Sequence, residues 1–379
     1  MKHVDEFQKL FKLNFPVEKH HQYYIDTLMK SSFYAGLGKV ISDFEKYESD
    51  IQKDGLYKDV KSYKLDYALP KLKNYILNTE AYKNLQSTNF GDSKLRTKDL
   101  LKLNDNTYLI SIDFKSANYS ALKTYDSKGE LFGSWEELCT ALDVHPVLAS
   151  SKSFRQYVFG NTNPKRLQTT QHDFIVTIVD KLIEDHGFEE SDFVFISHDE
   201  FVVKLRPDHK LAVNRIHLLN SAIGNIISNE GINMPTHYKV FKNEPIDGDM
   251  RIQTQYQVKM GGLSEKYQLL VKVPGNKFFK YFKTHILRES IDPRDLMFDS
   301  DGEIAVWAEG EDSVVERIVP DGEISLEQAK SDYSYLFNKI KNEVPGLNDA
   351  QIRKIINIVT DTCKSCMNAD AGCQCWNDE

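Results

Sequence analysis

The stretch that most narrows what this chain can fold into is Phe193–Leu205, which reads Phe-Val-Phe-Ile-Ser-His-Asp-Glu-Phe-Val-Val-Lys-Leu. Two runs of β-branched and aromatic residues flank four polar ones, the pattern of a tight β-hairpin with both arms largely buried. Its tip carries His198, Asp199 and Glu200. Adjacent carboxylates on a buried hairpin are costly to keep ionised without a cationic partner, and a divalent metal ion meets that need. A solvated turn rich in acids is the other reading of the same residues.

A second acid sits at the end of a second apolar run. Residues 107–112 predict a strand that runs straight into Asp113, and Ser116–Leu122 predicts the start of a helix. An aspartate between a buried strand and a helix is placed as a metal ligand or catalytic carboxylate, or as a simple N-cap. Further on, residues 134–149 predict a capped helix and turn. A helix over residues 152–160 would set Lys152, Arg155 and Phe159 near one face. Asn161-Thr162-Asn163-Pro164 ends it, and a second helix, Gln168–His186, leads into the hairpin.

The first hundred residues predict helices over Asp5–Phe15, His21–Glu48 and Leu69–Leu85, with Pro70 suited to a first helical position. Tyrosines and lysines interleave here, a composition that can grip nucleic acid but equally makes an aromatic core with a solvated face. After the hairpin come a long helix (Asp208–Gly231), a strand-like return (Ile232–Pro245), and β-type alternation over residues 253–310 with turns at Gly261-Gly262 and Pro274-Gly275-Asn276. Helices follow over residues 324–343 and 348–362, with a capping-box pattern at Ser325-Leu326-Glu327-Gln328.

Composition removes some function classes. At 41% hydrophobic and 27% charged residues the chain is ordinary for a globular protein. No apolar run is long enough to span a bilayer and the first residues do not form a signal peptide, so a cytoplasmic protein without membrane contact is expected. A net charge of −8 argues against nonspecific coating of nucleic acid but allows a local basic channel. Four of the five cysteines, Cys363, Cys366, Cys373 and Cys375, crowd the C-terminal end. In a cytoplasmic chain this suggests metal before disulfides. Four thiolates would close a tetrahedral structural zinc site; a tail of reduced cysteines is the alternative.

Several motifs occur together in one order: the strand ending in Asp113, Asp143-x-His145-x-x-x-Ala149, Arg155-x-x-x-Phe159-Gly160, Gln168-x-Thr170-x-x-Asp173 and His198-Asp199-Glu200. In this the chain resembles the polymerase domain of family A DNA polymerases, the bacterial DNA polymerase I type, over roughly residues 105–245. The resemblance implies an α+β right-hand fold with an antiparallel palm sheet. It divides the chain into a helical thumb-like region (1–104), palm (105–133), reduced fingers (134–190), palm again (191–250), a C-terminal α+β extension (251–345) and a helix with the cysteine-rich tail (346–379).

It also implies roles. Asp113 and Asp199, with the Phe114 carbonyl, would hold two Mg²⁺ ions (Mn²⁺ as an alternative) roughly 3.5–4 Å apart, with His198 and Glu200 completing the catalytic set. Arg155, with Lys152 one turn nearer the helix start, would meet the triphosphate. Phe159 would stack on the incoming base, and Gly160 would admit the templating base. Asn118 and Tyr119 would face the sugar, and His145 and Gln168 the primer-template. The expected partners are primer-template DNA, dNTPs, and replication proteins met through the C-terminal extension.

There are departures from the family pattern. The fingers look trimmed, Arg155 replaces a lysine, and Asn163-Pro164 stands where a second aromatic-Gly pair is expected. Asn118 stands where the family's DNA enzymes carry a glutamate that blocks ribose. No second carboxylate set suggests proofreading. Two other readings stay open: an RNA-synthesising relative of primase or single-subunit phage type, and a non-catalytic nucleic-acid-binding subunit.

Overall fold

In the computed structural model, six strands form one wholly antiparallel sheet in the order β2-β3-β1-β4-β5-β6. They are β1 (Leu109–Phe114), β2 (Phe193–Ile196), β3 (Glu200–Lys204), β4 (Thr236–Asp247), β5 (Met250–Lys259) and β6 (Gly262–Val271). The structure describes residues 1–87, 107–162, 164–205, 209–232, 234–260, 262–300, 303–307 and 314–318. The expected helices over 324–343 and 348–362, the Ser325 capping box, all four C-terminal cysteines, Asn163 and Gly261 lie outside them.

The central strand is β1, and its sequence explains why. Leu109, Ile110, Ile112 and Phe114 are all buried, so both faces are covered and the strand reads as a continuous apolar run broken only by Ser111 and Asp113. Leu109, Val194, Val202 and Phe241 make a core cluster on the face that Asp113 shares. The sheet runs on through the boundary expected at residue 250, because β4 and β5 are joined by the tight turn at Gly248 and pair along most of their length.

Helical segments pack on this sheet, Ala117–Lys123 against β1 and His209–Asn229 and Phe282–Leu287 against β6. The N-terminal aromatics form a core: Phe7 and Phe44 rings lie 5.2 Å apart, Phe44 and Tyr47 5.9 Å, and Tyr47 and Tyr63 5.9 Å. Pro70 lies inside a longer helical run, just past its expected first position. It follows the π-helical turn Tyr63–Ala68, in which the Leu69 amide bonds back to Lys64. Proline lacks the amide an unbroken α-helix would use there, so a widened turn before it keeps the run continuous.

β alternation fails over one part of residues 253–310. Phe278–Tyr281 and Phe282–Leu287 are helical, because Phe279 and Phe282 recur at helical spacing and both are buried, with Phe279 against Tyr24 at 4.3 Å.

The chain divides into two compact units, Met1–Leu296 and Met297–Glu379. The described part of the second is a three-stranded antiparallel sheet of β7 (Met297–Ser300), β8 (Glu303–Trp307) and β9 (Val314–Ile318), with Phe298 stacked on Trp307 at 5.0 Å. Among the described residues no helix is long and apolar enough to cross a membrane.

Candidate active site

The two acidic segments meet at one end of β1. Asp113 pairs with Glu200 on β3 and with His237 on β4, so three neighbouring strands present these side chains in a row on one face. The hairpin closes where the Ser197 amide donates to the Glu200 carbonyl at 2.7 Å, leaving His198 and Asp199 at the tip. The Phe114 amide then donates to the Asp199 carbonyl at 3.1 Å, and the Lys115 amide to that of Pro235 at 2.8 Å. Backbone bonds thus hold the Asp199 turn against the residue after Asp113.

The chain leaves β1 through Ser116, a non-glycine residue at φ 49°, ψ 43°. Left-handed geometry at such a residue stores about 1–3 kcal/mol and persists only where the surroundings enforce it. The Ser116 carbonyl accepts from the Tyr119 and Ser120 amides and so starts the Ala117–Lys123 helix.

The electrostatics are those of crowded acids. Burial pushes the Asp113 carboxyl above its usual range and the charge of Asp199 pushes it further, against the opposing pull of Lys239 and Lys152. Glu200 is raised in the same way, by burial first and then by Asp113 and Asp199, although the Ser111 hydroxyl donates to its Oε1. His237 lies with Nε2 3.6 Å from Asp113 Oδ2, too far for a hydrogen bond. Burial and the charges of Lys239, Lys115 and Lys152 lower its pKa, so the ring is neutral at pH 7. A carboxyl raised by a neighbouring carboxylate favours a cation beside it, and lysines around it favour an anion next to that cation.

Among the described residues no three His, Cys, Asp or Glu side chains are gathered so as to hold a metal ion by themselves. The donor set fits Mg²⁺ in a more limited way. Asp113 and Asp199 offer hard oxygens whose mutual repulsion a divalent ion relieves, and Mg²⁺ commonly takes one or two protein carboxylates and fills its shell with water and substrate phosphate.

The other expected residues are placed variously. Lys152, exposed at the start of the Lys152–Gly160 helix, lies close enough to act on both Asp113 and His237. Arg155, one turn on, is largely shielded and faces Glu136 Oε1 at 3.8 Å. Phe159 is 1% exposed, with its ring 5.7 Å from that of Trp135. A Cβ at Gly160 would meet nothing within 4 Å, so packing within the chain does not require the glycine. Tyr119 is buried, and its hydroxyl donates to the Phe132 carbonyl at 2.9 Å. Asn118 Oδ1 accepts from Gln171 at 2.9 Å. Gln168 is exposed on the Pro164–Asp185 helix. His145 caps the short Pro146–Ser150 helix and meets Tyr47 at a tilt, with ring centroids 4.6 Å apart, and its Nε2 lies 3.6 Å from Asp50.

Sequence reasoning missed His237, Lys239, Lys115, Gln171 and His172. The first two alternate on β4 just after Met234-Pro235, so extending the strand reading with period two would have placed them on one face. Gln171 and His172 lie inside the Gln168-x-Thr170-x-x-Asp173 pattern but are not among its motif positions. Compared with known protein families and with curated proteins, the chain matches none.

Proposed function

We propose that this protein is a template-directed nucleotidyltransferase, a family A-like DNA polymerase that adds dNTPs to a primer 3′-hydroxyl without proofreading. The observation that carries the reading is the meeting of Asp113, on the central strand, with Asp199, at the hairpin tip, through the Phe114–Asp199 backbone bond, with Glu200 beside them and Lys152 facing them. Divalent ions, when bound, would lower the pKa of the attacking hydroxyl and hold the leaving pyrophosphate.

The chain's own residues do the rest. Asp113 and Asp199 supply the oxygens, and Ser111 orients Glu200 by its hydrogen bond. Lys152, Lys115 and Lys239 set a positive field where a triphosphate would lie. Primer-template DNA is the partner this chemistry requires. The zinc reading of Cys363, Cys366, Cys373 and Cys375 stays part of the proposal and is checked by metal content per chain.

The deciding experiment is primer extension by the full chain with dNTPs and NTPs side by side, in Mg²⁺ and in Mn²⁺, with Asp113→Asn as control. Extension with dNTPs that Asp113→Asn abolishes is the expected result. Extension with NTPs alone would move the reading to an RNA-synthesising enzyme. DNA binding with no extension under any condition would leave a binding subunit.

A further inference from the structure

Two adjacent side chains of the Pro164–Asp185 helix reach the two segments that carry the acids. Gln171, 2% exposed, donates from Nε2 to Asn118 Oδ1 at 2.9 Å. His172, 1% exposed, has Nδ1 3.3 Å from the Ser197 carbonyl. A carbonyl only accepts, so Nδ1 is the donor in this bond. Nε2 has no hydrogen-bond partner among the described residues, so the bond this ring makes is the one to Ser197. Asn118 stands in the first turn of the helix that follows Asp113 and Phe114, and Ser197 opens the turn that carries Asp199.

We propose that Gln171 and His172 are a pair of positioning residues that fix Asp113 and Asp199 relative to one another; this rests on the nucleotidyltransferase reading above. Successive helix residues point about 100° apart, so one dipeptide can serve two targets that a single side chain could not. Both groups are withdrawn from water, which is unfavourable unless each makes its bond. Apolar residues, such as the nearby Ile175 and Ile178 of the same helix, fill buried positions without that requirement.

The two targets need holding. The Asp113 segment passes through the left-handed Ser116 before reaching Asn118, and such a conformation depends on external restraint. The Asp199 turn is only two residues at a strand end. His172 also meets the ring of His198 edge-on, with centroids 5.6 Å apart, so it limits the tip from a second side.

The test uses the full chain and Mn²⁺ as the probe, with affinity read by electron paramagnetic resonance and single-nucleotide addition separated into kcat and KM. His172→Leu and Gln171→Leu should each lower Mn²⁺ affinity and kcat by about 10–100-fold, the usual effect of removing a group that orients a metal ligand, with KM for primer-template unchanged.

The decision rests on two amides of similar polarity. His172→Asn places its amide nitrogen where imidazole Nδ1 sits and should keep most of both quantities, whereas His172→Gln reaches the Nε2 position and should not. This comparison stands even if the leucine variants fail to fold. Equal behaviour of His172→Asn and His172→Gln overturns the proposal, as does parental Mn²⁺ affinity in folded leucine variants. Asp199→Asn is the reference. If it too binds Mn²⁺ like the parent, the two-carboxylate reading fails; if it loses Mn²⁺ while the His172 amides stay equal, only the positioning role fails.

Discussion

Asp295 and Asp113 are both withdrawn from water, and burial pushes both carboxyls above their usual range. Their surroundings differ. Asp295, with no exposed surface, accepts from the Tyr23 hydroxyl at 2.8 Å and the Asp292 amide at 2.7 Å, and Lys283 Nζ stands 3.6 Å away. Those groups all pull its pKa back down. At Asp113 the largest influence after burial is a like charge, Asp199, and the nearest ring, His237, is held neutral. A buried acid with complete donors ties helices together. A buried acid set beside another acid is stable only by staying protonated or by gaining positive charge from outside.

Substitution should separate the two most sharply. Asp113→Asn removes a charge that stands beside Asp199 and is only partly offset by Lys239 and Lys152, so the melting temperature should hold or rise while nucleotide addition falls by roughly 10²–10³-fold or more, the scale of removing one preorganised electrostatic group. Asp295→Ala should do the reverse. It leaves Tyr23 and Lys283 without their shared acceptor and should destabilise by roughly 3 kcal/mol, with the rate per folded molecule unchanged. Denaturant melts alongside single-nucleotide addition measure both, and a melted Asp113→Asn or a slowed, folded Asp295→Ala would erase the distinction.

Part of this contrast was legible in the sequence. The hairpin was, because period-two burial with four polar residues at the tip admits few other structures, and so was the strand into Asp113. The Lys152–Gly160 helix was legible too, from the spacing of Lys152, Arg155 and Phe159 and the Asn161–Pro164 break, whereas its Ser151 cap shows only in the structure. What escaped depends on contacts distant in sequence. No local pattern says that Asp113 pairs with His237, that Asp295 meets Tyr23, or that Tyr119 and Phe159 turn inward on Trp135. Tyr119 and Phe159 each look free to face a ligand, and only their packing on Trp135 buries them.

Proton linkage gives a second separation. Raised pKa values mean that folded Asp113 and Glu200 keep protons that the unfolded chain has lost. The stability those protons supply is complete below about pH 4 and is lost as pH rises through the raised values. In chelator the protein should therefore lose stability over that window. At pH 7, Mg²⁺ at a hundredfold excess over its Kd should return about 2.7 kcal/mol. Asp295, also raised, adds to the pH slope but not to the Mg²⁺ response. Asp59 and Asp292, held low by hydrogen bonds, add the opposite slope. The quantity to measure is thus the difference between parent and Asp113→Asn melts, with and without Mg²⁺. An equal Mg²⁺ gain in both would place the ion elsewhere.

The two cations of the Lys152–Gly160 helix sharpen the comparison on the anion side. Lys152 is exposed and acts on Asp113, whereas Arg155 is shielded and faces Glu136. Lys152→Ala should raise KM for the nucleotide and lower the rate, together about tenfold to a hundredfold for one lost charge-assisted bond. Arg155→Ala should act chiefly on stability. A larger kinetic effect at Arg155 than at Lys152 would mean that the helix turns when nucleotide binds, and the sequence expectation for Arg155 would then hold in the loaded enzyme.

The smallest effect concerns Tyr119, expected from the sequence to face the sugar. Its ring is 2% exposed and meets Trp135 at 6.1 Å and 75°, and its hydroxyl donates to the Phe132 carbonyl. Tyr119→Phe removes only that hydrogen bond and should cost about 1 kcal/mol, leaving the ratio of ribonucleotide to deoxyribonucleotide incorporation unchanged. Tyr119→Ala would instead open a cavity, at about 3–5 kcal/mol, beneath Trp135 and hence beneath Phe159. A relaxed sugar choice in the alanine variant alone would therefore report the packing of that cluster. If Tyr119→Phe by itself admits more ribonucleotide, the hydroxyl reaches the sugar in the working complex, and Tyr119 must leave its place beside Trp135 each time a nucleotide is bound.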